Sequence, residues 1–460
     1  MLSSPLPLPD DIRGRVIAPG DPGYDAARTV FPGNVDRRPR LIVRVADDAD
    51  VARTIAFARE HDLELAVRSG GHSGAGHGVT EGGVVIDLSA MRALEIDPVS
   101  KTAWAETGLT AGAYTSAAAE HGLATPFGDA GGVGLGGITA AGGIGFLVRK
   151  HGLTVDNVLA ADVVTADGAL LRADAERNPD LFWAVRGGGG NVGVVTRLRL
   201  RLHDLPQIVG GMLFLPATPE TIAGFVAEAE AAPEALSGIA TVMAAPPMPF
   251  LPAEHHGRLV LMAQLAYAGP EEEGQAALGR FRALADPLAD LTRPMAYTDL
   301  FFPEPEDFHP VAVMRTLFVG AVDRRAAGAI VERVEASTAP MAAVQLRVLG
   351  GAAARVPAAA TAFAHRDSRV LVNVTAVYAQ PDQRAEQEAW VQAVAGELHD
   401  GDAGAYAGFL SDEGEAGARA AYPGATWDRL AAIKARYDPG NVFRLNANVP
   451  PASEERVAAA

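Results

Sequence analysis

The sequence contains no cysteine. That absence excludes disulfide frameworks, thiolate metal sites, iron–sulfur clusters and cysteine nucleophiles together. Positive charge is also scarce: 39 Lys and Arg stand against 56 Asp and Glu, a net charge of −17, and such a surface repels phosphate backbones and anionic lipid. No nucleic-acid or membrane partner is expected. No apolar run approaches the roughly 18 residues that would span a bilayer. The opening residues, MLSSPLPLPDD, have neither the basic region nor the apolar stretch of a signal peptide, so a cytoplasmic location is the expectation. His72 and His77 lie five residues apart with no carboxylate at ligand spacing, and no metal is expected.

What is present is the composition of a compact globular protein, with 48% hydrophobic and 21% charged residues. A chain of 460 residues exceeds one ordinary core, which points to two domains. RLIVRV (40–45) reads as a strand, and 47–61 as a helix with an acidic cap and an apolar face of Val51, Ile55 and Ala58. LELAVRS (63–69) and GVVIDLS (83–89) are further strands, and 111–121 suits a helix closed by Gly122. Residues 157–172 read as a hairpin turning at Asp167-Gly168, 180–186 as a helix, and VVTRLRLRL (194–202) alternates like a half-buried strand. Up to about 205 this makes one α+β domain. Beyond Pro206 the texture becomes Ala-, Pro- and Glu-rich, with helices expected at 218–232 and 270–285 and strands at 258–265, 342–349 and 369–378. An antiparallel sheet with covering helices is the expected second domain. Residues 401–425 read as a loop, and 426–441 as a final helix with Trp427, Leu430, Ile433 and Tyr437 on one face.

The 50 glycines are concentrated, filling nine of the eighteen positions from Gly128 to Gly145. A Gly-rich loop of that length calls for a ligand. Gly132 to Gly137 and Gly188 to Gly193 both satisfy G-x-G-x-x-G, yet neither is a dinucleotide fingerprint. The first follows no strand and runs into more glycine, while the second follows a helix and enters a strand, the reverse of the required order. Two separated Gly loops can still bring backbone N–H groups to one pyrophosphate. Tight turns without a ligand are the alternative reading of either loop alone.

Five ordered stretches carry a family resemblance: residues 38–78, ending in RSGGHSGAGHG; GGVVIDLS (82–89); GLGGITAAGGIGFLVRKHGLTVDNV (134–158); PDLFWAVRGGGGNVGVVT (179–196); and YDPGNVFRLNANVPP (437–451). Together the chain resembles the berberine-bridge-enzyme-like branch of the vanillyl-alcohol-oxidase flavoproteins. The resemblance is strong over 12–205 and 420–451 and weak in the middle third. It implies an α+β fold: a PCMH-type FAD-binding domain from 1–205, rejoined by 426–460, and a substrate domain from 206–425 holding an antiparallel sheet covered by helices. The cofactor it implies is FAD, bonded covalently to His72 in the R-x-G-G-H loop. Arg68, Ser69, Gly70, Gly71, Ser73 and His77 would surround that anchor, with Val133, Gly134, Gly136, Gly137, Gly142 and Gly143 from the long Gly loop. Val195, Asn446 and Asn448 complete the implied cofactor site. Many members attach FAD a second time through a Cys, where this chain has Ala130, so a single attachment is implied. That pattern is similar to bacterial 6-hydroxynicotine oxidases and enterocin-type flavoenzymes.

The implied activity is oxidation: hydride leaves an alcohol, lactol or amine carbon of a small molecule for the flavin, and oxygen takes the electrons as peroxide. A flavin oxygenase or oxidative cyclase of secondary metabolism, and a flavin binder without turnover, are the other readings. The catalytic candidates lie in the second domain. Gln345 and Arg347 alternate on an expected strand and so share a face, an arginine there favouring an anionic substrate or a developing alkoxide. Tyr378 ends another strand. Tyr406 lies where relatives that oxidise sugars and alcohols carry Y-x-N-[YF], but Gly408 replaces that Asn, with Phe409 at the last aromatic position. His365, Arg366 and Tyr422 are further candidates.

Overall fold

The computed structural model describes residues 11–301, 305, 307–411 and 413–453. The first sheet pairs Arg15–Ile17 antiparallel with Leu41–Arg44. Val84–Asp87 lies parallel to that strand, with Leu65–Arg68 parallel on its far side. Val84–Asp87 is buried along its whole length, which is why VVID reads as a continuous run and not as an alternation. The helix Asp48–Glu60 starts where expected: the Asp47 carboxylate accepts from the Asp50 N–H, and Val51, Ile55 and Ala58 turn inward.

A second, antiparallel sheet follows in the order 94–97, 102–106, 194–201, 158–164, 170–174. Val194–Arg201 alternates buried and half-buried residues as its sequence does. The Asp167-Gly168 hairpin is present, with Gly168 at φ +85°, where a side chain would be strained. These two sheets and the helices around them form the N-terminal part of the molecule.

The largest sheet is antiparallel and eight-stranded, and the helices Pro219–Ala231, Glu271–Arg282, Arg324–Glu335 and Arg384–Leu398 pack on one face. Five of its strands, 208–216, 236–244, 312–319 and the short 289–290 and 293–295, are not expected from the sequence. Ile208–Pro216 and Leu236–Ala244 are buried on both faces, so their side chains lack the polar-apolar alternation that signals a strand. Two more departures concern loops. The Gly-rich stretch holds a helix, Leu135–Ala141, and 401–425 holds another, Gly414–Ala421. Ala405, Leu410, Ala421 and Tyr422 already pack into the core beneath the second sheet, upstream of the return expected at 426.

Along Met341–Val348, Ala342, Val344, Leu346 and Val348 face the covering helices. The alternate residues of that strand therefore look toward the N-terminal part, across the space where the two parts meet.

Candidate active site

A cavity of about 510 Å³ occupies that junction. Two glycine loops make its floor, and they touch. A Cβ on Gly70 would stand 2.4 Å from the Gly134 nitrogen, and one on Gly134 would stand 2.3 Å from the Gly70 nitrogen, so neither position tolerates a side chain. Ser69 stitches the loops further, its hydroxyl donating to the Thr107 carbonyl and accepting from the Gly136 N–H. Among the described residues none accepts a hydrogen bond from the N–H groups of Gly70 through Gly74. The residues that carry these donors all line the cavity.

His72 is in the cavity wall, its ring stacked on Phe31 at 4.4 Å. Burial lowers its affinity for a proton below that of an ordinary imidazole, against an opposing contribution from the Gly132 backbone. His77 also lines the wall; burial and then the Arg37 charge lower it to about 4, so it is neutral. Arg68 is almost fully buried, donates to Asp87 at 3.1 Å, and keeps Nη1 without a partner among the described residues.

Of the other expected residues, Ser69, Gly70, Gly71, Ser73, Val133, Gly134, Gly136, Gly137, Val195 and Asn446 all line the cavity, as do Arg347 and Tyr406. The remaining expected residues lie outside the wall. Gly142 and Gly143 are not in the wall: they take φ of +136° and +81° in the turn after the helix, with Phe363 and Thr154 packed where side chains would be. Asn448 instead accepts from the buried Lys434 ammonium at 2.9 Å, tying the C-terminal segment down. Gln345 shares a face with Arg347 but lies outside the wall, its amide reaching across the sheet to Thr241 at 3.4 Å. Tyr378 has the opposite parity from the wall residue Asn373 and is buried outside the cavity. His365, Arg366 and Tyr422 also lie away from it, Arg366 in a buried ion pair with Asp156.

Residues the sequence did not single out complete the site. Arg347 Nη2 donates to Asp129 Oδ2 at 2.6 Å, its guanidinium lies 4.9 Å from the Phe409 ring centre, and Nε and Nη1 have no partner among the described residues. Asp129 stood inside the Gly-rich loop, where a lone charge among glycines was the available signal. Asn373, Met314 and Ser411 also line the cavity, and only the strand parity of the first two could have marked them. The Tyr406 hydroxyl accepts from the Gly143 N–H at 3.0 Å, and burial pushes its pKa up to about 12 despite that bond and the Arg347 charge.

Residues 39–174 match the model of the FAD binding domain, and 405–450 match the model described as berberine and berberine like. The chain is 31% identical to (R)-6-hydroxynicotine oxidase of Paenarthrobacter nicotinovorans over 466 residues, covering 98% of this chain and 99% of that one. It belongs to the berberine-bridge-enzyme-like family of FAD-linked oxidoreductases. An FAD-linked oxidoreductase of Bacillus subtilis, YvdP, is 32% identical across 96% of this chain and 98% of its own. The solved 6-hydroxy-D-nicotine oxidase of Arthrobacter nicotinovorans superposes with a TM-score of 0.85 at 25% identity, over 98% of this chain and 100% of that one.

As in its family, the protein is a FAD-dependent oxidoreductase, and the cavity fits FAD on its own chemistry. A Cβ on Gly137 or Gly190, both in the wall, would have no protein atom within 4 Å, so each glycine keeps space open for a ligand. Among the described residues the Asn446 side-chain oxygen is buried without a partner beside that space, as is Arg68 Nη1. Unpaired buried donors and an acceptor are what a nucleotide cofactor satisfies.

Proposed function

We propose that this protein is an oxidase that holds FAD through a single covalent bond at His72, oxidises an alcohol, lactol or amine carbon of a small molecule, and passes the electrons to dioxygen. The observation that supports it most is the wall around His72: the imidazole lines the cavity, Ala130 stands where relatives place a second, thioether anchor, and the chain has no cysteine. FAD bound there supplies a hydride acceptor and a two-electron route to oxygen.

The chain's own residues hold and orient. The Gly70–Gly74 N–H groups and the Gly137 and Gly190 openings receive the cofactor, with Arg68 and Asn446 beside it. On the substrate side Arg347 offers two guanidinium nitrogens, Nε and Nη1. Because Asp129 balances its charge, those donors suit a neutral substrate oxygen better than a free anion. Tyr406 keeps its proton at neutral pH and so acts there as a donor. Phe31, Met314 and Phe409 supply apolar walls that exclude water.

Acid precipitation of the native protein and of His72→Ala tests the attachment. Yellow colour should stay in the native pellet and leave that of the variant; a colourless native pellet refutes the covalent bond. Peroxide formed in step with donor oxidation supports the oxidase, while labelled oxygen appearing in the product would move the protein to the oxygenases.

A further inference from the structure

The Phe31 and His72 rings lie face to face, with centroids 4.4 Å apart and planes 17° from parallel. Phe31 is itself held from several sides. Its N–H donates to the Gly71 carbonyl at 3.1 Å, its carbonyl meets His309 Nδ1 at 3.3 Å, and the Phe308 ring stands edge-on at 6.1 Å. Further along, the Gly33 N–H donates to the Pro310 carbonyl at 2.9 Å, and the Arg37 guanidinium donates to the carbonyls of Ala75, Gly76 and Val79. Residues 31–37 therefore run as a clasp along the 71–79 loop and press one aromatic face onto one imidazole.

The imidazole needs that restraint. His72 follows Gly70-Gly71 and precedes Ser73-Gly74, and glycines restrict neither the backbone nor the side chain they flank. With one ring face covered by Phe31, the ring is left open toward the cavity that His72 lines. Burial keeps the ring neutral at neutral pH, so one nitrogen retains its lone pair.

We infer that Phe31 is a positioning residue for covalent attachment of the cofactor: the stack aims the free His72 nitrogen at the flavin methyl carbon while adding little to FAD binding itself. This rests on the reading of His72 given above. In the step the nitrogen lone pair forms the N–C bond and a methyl proton is lost. The isoalloxazine is left reduced by two electrons, and dioxygen takes these up with two protons as hydrogen peroxide. A misaimed ring slows such a step without preventing binding, since orientation acts on the rate.

The test uses apoprotein from riboflavin-starved cells, mixed with FAD in air. Acid precipitation at intervals gives the covalent fraction, and flavin released to the supernatant gives the bound but unattached fraction. Native protein, Phe31→Leu and Phe31→Tyr are compared. Phe31→Leu should bind FAD yet attach it about 10- to 100-fold more slowly, and Phe31→Tyr, which restores the stack, should attach at close to the native rate. Attachment at the native rate in Phe31→Leu, or in Phe31→Met should the leucine variant prove insoluble, overturns the inference alone. Loss of FAD binding in all the variants alike would make Phe31 a structural wall and overturn it as well. A native protein without covalent flavin removes the His72 reading and this inference together.

Discussion

Arg347 and Asp129 meet at 2.6 Å across the junction between the eight-stranded sheet and the Gly-rich loop. The pair brings a cation into the wall together with the carboxylate that balances it, the guanidinium side chain being 6% exposed and its partner 22%. Removing the carboxylate leaves a buried cation uncompensated.

Asp129→Asn should therefore turn a neutral cavity into an anion site. Nitrate, titrated into the flavin-loaded protein and followed by the flavin absorbance, should bind at least about tenfold more tightly, the ~1.4 kcal/mol end of what a desolvated charge contributes. FAD loading should be unchanged, since neither residue holds the glycine floor together. Equal nitrate affinity in native and variant protein would show that the guanidinium charge is not felt in the cavity.

Gly137 separates cofactor binding from folding. A Cβ there meets no protein atom within 4 Å and opens into the cavity, and its φ is not among the positive ones. Gly137→Val should leave the apoprotein's urea midpoint within about 0.5 kcal/mol of native, as for substitutions that touch no core, while FAD content falls to a small fraction. By contrast, Arg201→Ala, at an exposed strand end, should load FAD normally. Full occupancy in the valine variant would place the cofactor elsewhere.

The cofactor half was legible because its chemistry depends on backbone geometry. Glycines at 70, 134, 136 and 137 are required by close approach or open space, and that requirement is visible as a residue type in the sequence. The substrate half was not, because its wall is set by which face of a strand looks inward. Gln345 and Arg347 share that face, yet only one reaches the cavity, since an amide is short enough to be taken up by Thr241 across the sheet while a guanidinium reaches beyond it. The same limit explains Asn446 and Asn448: one reaches the cavity and the other is captured by Lys434, a partner 14 residues back that spacing alone does not reveal. Phe31 lies outside every quoted motif and becomes visible only through its stack.

A half-buried histidine pair sets the expected response to acid. The His151 and His203 rings stack at 3.9 Å, with His203 Nε2 on Asn157 Oδ1 at 2.7 Å and His151 Nε2 unpartnered among the described residues. Burial first, then neighbouring positive charge, lowers His151 to about 3 and His203 to about 4. Because both values are depressed, the unfolded chain takes up protons from about pH 6.5 downward before the folded one does, so stability is full above that value and falls as pH drops toward 4 and 3. His151→Phe keeps a stacked ring and removes one titrating group. Urea midpoints measured from about pH 7.5 to about pH 4.5 should fall less steeply in the variant, by up to one proton in slope. Parallel curves would mean that His151 does not contribute to acid instability.

Val133 tests the route to oxygen. It lies three residues after Ala130 in the cavity wall, and hydrogen bonds on both sides fix its register. The Val133 carbonyl accepts from the Ala111 N–H at 2.8 Å, the Gly131 carbonyl from the Gly112 N–H at 2.9 Å, and the Leu135 N–H donates to the Leu109 carbonyl at 2.8 Å. A substitution at 133 therefore changes the wall without sliding the loop. Leucine adds one methylene, and close-packed walls register a change of that size. If this wall admits oxygen to the flavin, native enzyme reduced anaerobically should reoxidise quickly in air with release of peroxide. Val133→Leu should slow that reoxidation by about tenfold, on the order of 1.4 kcal/mol in the barrier, and leave anaerobic reduction nearly unchanged. Stopped-flow measurement of the two half-reactions separates these effects. Equal slowing of both halves would assign Val133 to substrate or flavin placement, and no change in either would leave it a packing residue, with oxygen reaching the flavin by another face.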